Sequence, residues 1–173
     1  MPAPRPTSPT PRTAPVSAAL LAAACLALLL AAGVQGQPVL ERADGSELLL
    51  DAERLADLER STLRATLNGQ GRRFEGYRLP AVLAAAGVPS GDALRGAALA
   101  MVVVVEAADG YRVAFTLAEL DPTLGAAHVL LADRVDGDAL PAAHGPWRLV
   151  VAGDRRPSRW VRNIVRIRVA ALP

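Results

Sequence analysis

An uninterrupted apolar run, residues 16–34, most limits what this chain can fold into, because it separates a leader from everything that could form a core. The run follows a proline-rich opening that carries Arg5 and Arg12, which is the pattern of a secretory signal. Val34 and Gly36 are small or apolar residues suited to signal peptidase, so cleavage is expected after Gly36, with Gln37 as the new terminus. The run is also close to bilayer length, and an uncleaved anchor is the alternative. Residues 37–173 then form one domain, large enough to bury a core without cross-links. Its expected location is periplasmic or extracellular, touching membrane only through an uncleaved leader. Cys25, the single cysteine of the chain, lies in the middle of the run, with Ala22 where a lipobox would place leucine. It reads as a signal-peptide residue, so the domain is expected to have no disulfide, no thiolate nucleophile and no cysteine-ligated metal.

Charge is balanced overall and unevenly placed. All 19 basic residues are arginines, against 17 acids. Residues 139–173 hold seven of those arginines and a single acid, Asp154. Such a block either neutralises an acidic remainder across one surface or receives an anionic ligand. Few aromatic residues, a near-neutral total and export argue against nucleic acid as a partner.

Turn signals divide the domain into short elements. Asp44-Gly45 between residues 39–42 and 47–50 predicts an opening hairpin. Asp51 is placed to cap a short helix with Leu55 and Leu58 on one face. Residues 62–67 alternate as a strand that turns at 68–71. Pro80 fits the first turn of a helix that Gly87 stops. Residues 99–105 are apolar throughout and predict a central strand buried on both faces. Asp109-Gly110 turns the chain into a strand over 111–116, with Tyr111, Val113 and Phe115 sharing a face. Thr116 and Glu119 form a capping box. Residues 128–132 and 147–152 are two further strands, separated by Asp136-Gly137 and an irregular connection over 141–146. A last strand places Val161, Val165, Ile167 and Val169 on one face and Arg162, Arg166 and Arg168 largely on the other. Strands outnumber helices without alternating regularly, so the expected class is a β-rich α+β domain with a mixed sheet.

In their order, these features resemble the oxidoreductase molybdopterin-binding domain, the fold of sulfite oxidases. The matching pieces are the segment 74–79 with the helix to Gly87-Val88, the hairpin Asp109-Gly110-Tyr111, Leu130-Leu131-Ala132, the turn 136–141, His144-Gly145-Pro146-Trp147-Arg148, and Arg159-Trp160-Val161. The resemblance implies a pterin phosphate held by a His and an Arg of the first motif and by the basic residue of the second, here His144, Arg148 and Arg159. Two guanidinium forks and an imidazole suit a phosphate. The chain departs by one missing residue between the His and the Arg and by Arg in place of Lys at Arg159. In the family a cysteine thiolate after the strand resembling 63–67 fixes molybdenum. Here the chain continues Asn68-Gly69, and no nearby side chain is an equivalent soft donor.

Other chemistry reads more simply as structure. His128 lies in a predicted apolar strand and is expected to be a structural histidine. No nucleophile-elbow spacing supports a Ser-His-Asp triad. Asp133, Asp136 and Asp138 lack the glycine and glutamate offsets of a calcium loop. Trp147 and Trp160 are expected in the core. The leading expectation is an atypical exported member of the family that binds an anionic, pterin phosphate-like ligand or assists a redox partner, with molybdopterin as the implied cofactor and no cysteine-ligated molybdenum. The alternatives are a genuine molybdenum oxidoreductase with an unusual metal ligand, and an interaction module whose basic strand docks an acidic partner.

Overall fold

Two-residue turns with left-handed backbone set the framework. The computed structural model describes Met1 and residues 36–172, so the expected signal segment, Cys25 and the choice between cleavage and anchoring lie outside the described residues. The chain divides into two units, Met1–Gln35 and Gly36–Pro173, and every element named below belongs to the second. Among the described residues no helix is long and apolar enough to cross a membrane. Strands β1 (Val39–Glu41) and β2 (Glu47–Leu49) form the opening hairpin. Strands β3 (Arg60–Leu67) and β4 (Gln70–Arg78) meet at Asn68-Gly69, with φ of 53° and 78°, the geometry that matches the right-handed twist of paired strands. Two residues suffice for this turn, so Gln70 and Gly71, expected in it, begin β4 instead. Strands β5 (Met101–Ala107) and β6 (Arg112–Thr116) flank Asp109-Gly110, where the Tyr111 amide donates to Asp109 at 3.0 Å. Strands β7 (Val129–Val135) and β8 (Asp138–Ala139) flank Asp136-Gly137. Strands β9 (Arg148–Val151) and β10 (Ile164–Ala171) complete the set.

Among the described residues there are three short α-helices, two of them with a side-chain cap. In α1 (Ala52–Leu55) the Arg54 amide donates to the Asp51 carboxylate at 2.9 Å. Helix α2 (Leu79–Ala85) begins with Pro80 in its first turn and buries Leu79, Val82 and Leu83 against β4 and β7. Helix α3 (Leu117–Leu120) has its Glu119 amide bonded to Thr116 Oγ1 at 3.0 Å. The return half of that capping box is missing, because the Glu119 carboxylate pairs with Arg159 instead.

Two five-stranded sheets result. The first runs β2-β1-β10-β5-β6, with β1 parallel to β10 and the other pairs antiparallel. The second runs β3-β4-β7-β8, and β9 pairs with β7 beside β8. Both contribute to one apolar cluster that includes Leu40, Phe74, Leu131, Leu149 and Ile167. This is the α+β architecture expected.

Four local expectations need correction. The apolar run 99–105 does not make a strand buried on both faces. Leu99 is exposed in a 3-10 turn, and along β5 buried Val103, Val105 and Ala107 alternate with partly exposed Val102, Val104 and Glu106. The middle strand of that sheet is β10. Burial on both faces belongs to Val129–Ala132 of β7 and to all of β9, with helix α2 packed against β7 and the turn Pro157–Arg159 against β9. Val165 is exposed, and Ile164 is buried in its stead. A bulge between Ile164 and Arg166 shifts the register against β5, which turns Ile164 inward and Val165 outward. Tyr111 precedes β6 and is about half exposed, unlike buried Val113 and Phe115. His128 also precedes its strand, exposed, with its Nδ1 at 3.3 Å from Arg78 Nη1. Trp147 and Trp160 are buried as expected, and the Trp160 ring meets Phe74 edge-on at 5.6 Å.

Candidate functional site

Arg148 occupies an unusual place for a cation. It opens β9, a strand buried at every position, and only 7 % of its surface is exposed. Its cross-strand neighbour is Ala132, which in turn pairs with Gly76 on β4. The Arg148 guanidinium carbon stands 5.9 Å from the Phe74 ring centre and 5.6 Å from that of Trp160. Aromatic faces attract a cation without neutralising it. No carboxylate does so either, since none of the ion pairs among the described residues includes Arg148. Burial, and then the neighbouring Arg162, push its pKa down.

His144 and Arg162 share this environment. His144 lies in the connection between β8 and β9, partly buried, and its pKa is lowered first by desolvation and then by Arg148 and Arg162. Arg162 reaches the cluster because a bridge pairs its backbone with that of Arg148, while the Leu149 amide donates to Val161 at 2.7 Å. Asn163 follows in left-handed conformation, with φ of 50°. Its amide donates to the His144 carbonyl, and its Nδ2 to that of Ala143. Three buried polar atoms here lack any hydrogen-bond partner: His144 Nδ1, Arg148 Nε and Asn163 Oδ1. A buried polar atom left unpaired costs about 1–3 kcal/mol; Arg148 Nε is a donor and His144 Nδ1 is one in its N–H tautomer, whereas Asn163 Oδ1 only accepts.

Arg148 and Arg162 line a groove of about 330 Å³ together with Trp160, Tyr111, Ser158 and Asp109. Tyr111 closes one side by donating its hydroxyl to the Ser158 carbonyl. Asp109 contributes the groove's carboxylate, which is already bonded to the Tyr111 amide.

The three residues expected at a phosphate site are therefore divided. His144 and Arg148 are brought together by the end of β9. Arg159 stands in the adjoining 3-10 turn Pro157–Arg159, but its guanidinium is held by Asp154 at 2.7 Å and Glu119 at 2.8 Å. It also lies 4.8 Å from the Phe115 ring centre, and the hydrogen bonds it donates to Asp154 and then to Glu119 raise its pKa. Arg162 stands beside His144 and Arg148 instead. Its position in the basic block is visible in the sequence, but its bridge to Arg148 is not. Arg166, expected in the same row, is paired with Glu41 at 2.9 Å and Glu47 at 2.6 Å on the other sheet.

The metal end of the expected ligand has no counterpart in this donor set. Where the resemblance implies a cysteine after β3, the chain makes the Asn68-Gly69 turn directly into β4. Among the described residues no group of three or more His, Cys, Asp or Glu side chains is gathered to hold a metal ion.

Comparison with known proteins agrees with this architecture. The family described as oxidoreductase molybdopterin binding domain matches residues 46–173. Among solved structures, the sulfane dehydrogenase SoxCD from Paracoccus pantotrophus is similar, with a TM-score of 0.56 and 21% identity over 78% of this chain. The matched region spans 38% of the SoxCD chain. At that identity the likeness concerns the fold, which is sulfite oxidase-like. No curated protein matches the chain.

Proposed function

The chain belongs to the oxidoreductase molybdopterin binding domain family, and from that premise we propose that its groove binds the phosphate of a pterin-type ligand through Arg148 and Arg162, which line it, with His144 beside them. The observation that carries this reading is Arg148, a buried guanidinium without a carboxylate partner among the described residues. A phosphate supplies several acceptor oxygens and up to two negative charges, enough to satisfy the Arg148 Nε and to receive a bond from neutral His144. Arg162, exposed at the mouth, draws the anion in and contributes a second fork. Arg159 acts indirectly, by tying the groove-forming turn to Asp154 and α3.

Molybdopterin, when bound, supplies a dithiolene for a redox metal at the end away from its phosphate. The residues here fit the phosphate end. They do not fit a thiolate-fixed molybdenum, because the chain's single cysteine is Cys25. The proposal is thus an atypical family member, exported by its leader, that holds the ligand or assists a redox partner without its own cysteine-ligated metal. The test is to purify the protein from cells that make molybdopterin, then measure bound pterin phosphate and molybdenum. Retained pterin without stoichiometric molybdenum is expected. Stoichiometric molybdenum with turnover of a substrate would overturn the atypical role, and absence of any pterin would overturn the ligand.

A further inference from the structure

Strand β3 is a long sheet edge. Among the described residues, the second sheet begins at β3, which pairs with β4 on one side and with no strand on the other. It is eight residues long, whereas the outer strands β2, β6 and β8 have three, five and two. The outer side of β9 is already engaged by the Arg148–Arg162 bridge. An exposed edge of that length presents a row of free backbone donors and acceptors that another chain can extend. Strand β10, the basic strand expected to dock a partner, cannot serve, because it lies between β1 and β5 and its Arg166 is neutralised by two glutamates.

Charge decides what kind of strand fits β3. Arg60 and Arg64 stand on its exposed face, and Arg73 of β4 lies directly opposite Arg64. Like charges in that position oppose each other. Arg60 is matched by Asp133 at 2.6 Å and Arg73 by Glu75 at 3.1 Å. Arg64 has no carboxylate partner among the described residues. On the reverse face Leu63, Ala65 and Leu67 are only partly buried against the core. The strand contains no acid, so a second copy pairing along this edge would set guanidinium groups against one another. An incoming strand that alternates carboxylates with apolar side chains meets no such conflict.

We propose that β3 is the docking edge for an extended acidic segment of a partner protein, added to the sheet as a further strand. The proposal does not depend on the ligand groove, to which β3 contributes no lining residue. Backbone pairing supplies the affinity, Arg64 selects for acid, and Leu63 and Leu67 gain cover on the other face.

The test uses the protein as its host produces it and a synthetic peptide of the same length as β3, alternating glutamate with valine. Amide hydrogen exchange is followed with and without peptide. Slowed exchange confined to β3 is expected, with affinity falling about tenfold for Arg64→Glu and less for Arg64→Gln. Since Arg64 is exposed, unchanged exchange elsewhere shows that both variants are folded. Equal protection by a lysine version would overturn the acidic preference, and equal binding by a peptide N-methylated at alternate residues would overturn strand addition. A dimer in solution with β3 already protected would assign the edge to a second copy. No protection by any peptide would end the proposal.

Discussion

The guanidinium of Arg148 lies beside the edge-on pair of Phe74 and Trp160, 5.6 Å from the Trp160 ring centre, with its Nε buried and unbonded. Trp160 is itself anchored, donating its indole N–H to the Val151 carbonyl at 2.9 Å across the turn that follows β9. The ligand recognition proposed for Arg148 and the packing of the core thus meet at one pair of side chains. A cation kept in such a place lowers the stability of the ligand-free protein.

Replacing that cation separates the two roles. Arg148→Met keeps the stem's packing and removes the unpaired charge, so ligand-free protein is expected to gain about 1–3 kcal/mol in urea denaturation. Binding of a pterin phosphate by the same variant is expected to fall at least about tenfold, as for any lost charge-assisted bond. Loss of stability on this substitution would show that Arg148 has a partner in the folded protein.

Arg159 and Arg162 are expected to behave oppositely. Arg159→Ala breaks the pairs with Asp154 and Glu119, whose partly exposed geometry limits the loss to about 1 kcal/mol, and leaves phosphate affinity within about twofold. Arg162→Ala leaves stability unchanged and weakens binding. Isothermal titration beside thermal unfolding distinguishes them, and reversed outcomes would return Arg159 to the ligand.

His144 makes the site sensitive to pH. Its folded pKa lies below the ordinary histidine range because desolvation, Arg148 and Arg162 all disfavour its charge. The unfolded chain therefore binds a proton that the folded protein resists, and stability present above about pH 6.5 is lost progressively as pH falls below it. A bound dianion reverses the sign, since it favours the imidazolium, so phosphate affinity should increase over the same window. Denaturation curves between neutral and mildly acidic pH, with and without phosphate, check both trends. In His144→Gln each should flatten.

Gly76 faces a backbone rather than a space. A methyl group there would stand 2.1 Å from the Leu131 carbonyl oxygen on β7, so Gly76→Ala must push β4 from β7 and is expected to cost about 1–3 kcal/mol or more. Gly71 on the same strand has no atom within 4 Å of such a methyl, and Gly71→Ala should stay within about 0.5 kcal/mol. Thermal unfolding of the two variants side by side provides the comparison.

Much of the fold was legible because it is local. Asn68-Gly69 and Asp136-Gly137 turn hairpins through their own tolerance of positive φ, and the Asp51 and Thr116 caps act within three residues. The site was legible in part. His144 and Arg148 sit four residues apart and meet, whereas the Arg148–Arg162 bridge and the commitment of Arg159 to Glu119 join segments distant in sequence. Periodicity misjudged Val165 because a bulge resets the alternation, and it overrated 99–105 because four valines favour a strand without stating how many neighbours cover it.

By itself the sequence determined where strands turn, which helices are capped, and that no thiolate lies beyond Cys25, since these depend on covalent identity and on neighbours a few residues away. Only the tertiary structure decided which arginines are neutralised. Arg166 meets Glu41 across 125 positions of chain, while Arg148 meets no carboxylate among the described residues. The physical reason is that a charge's partner and its burial depend on distances in space, which chain separation does not encode.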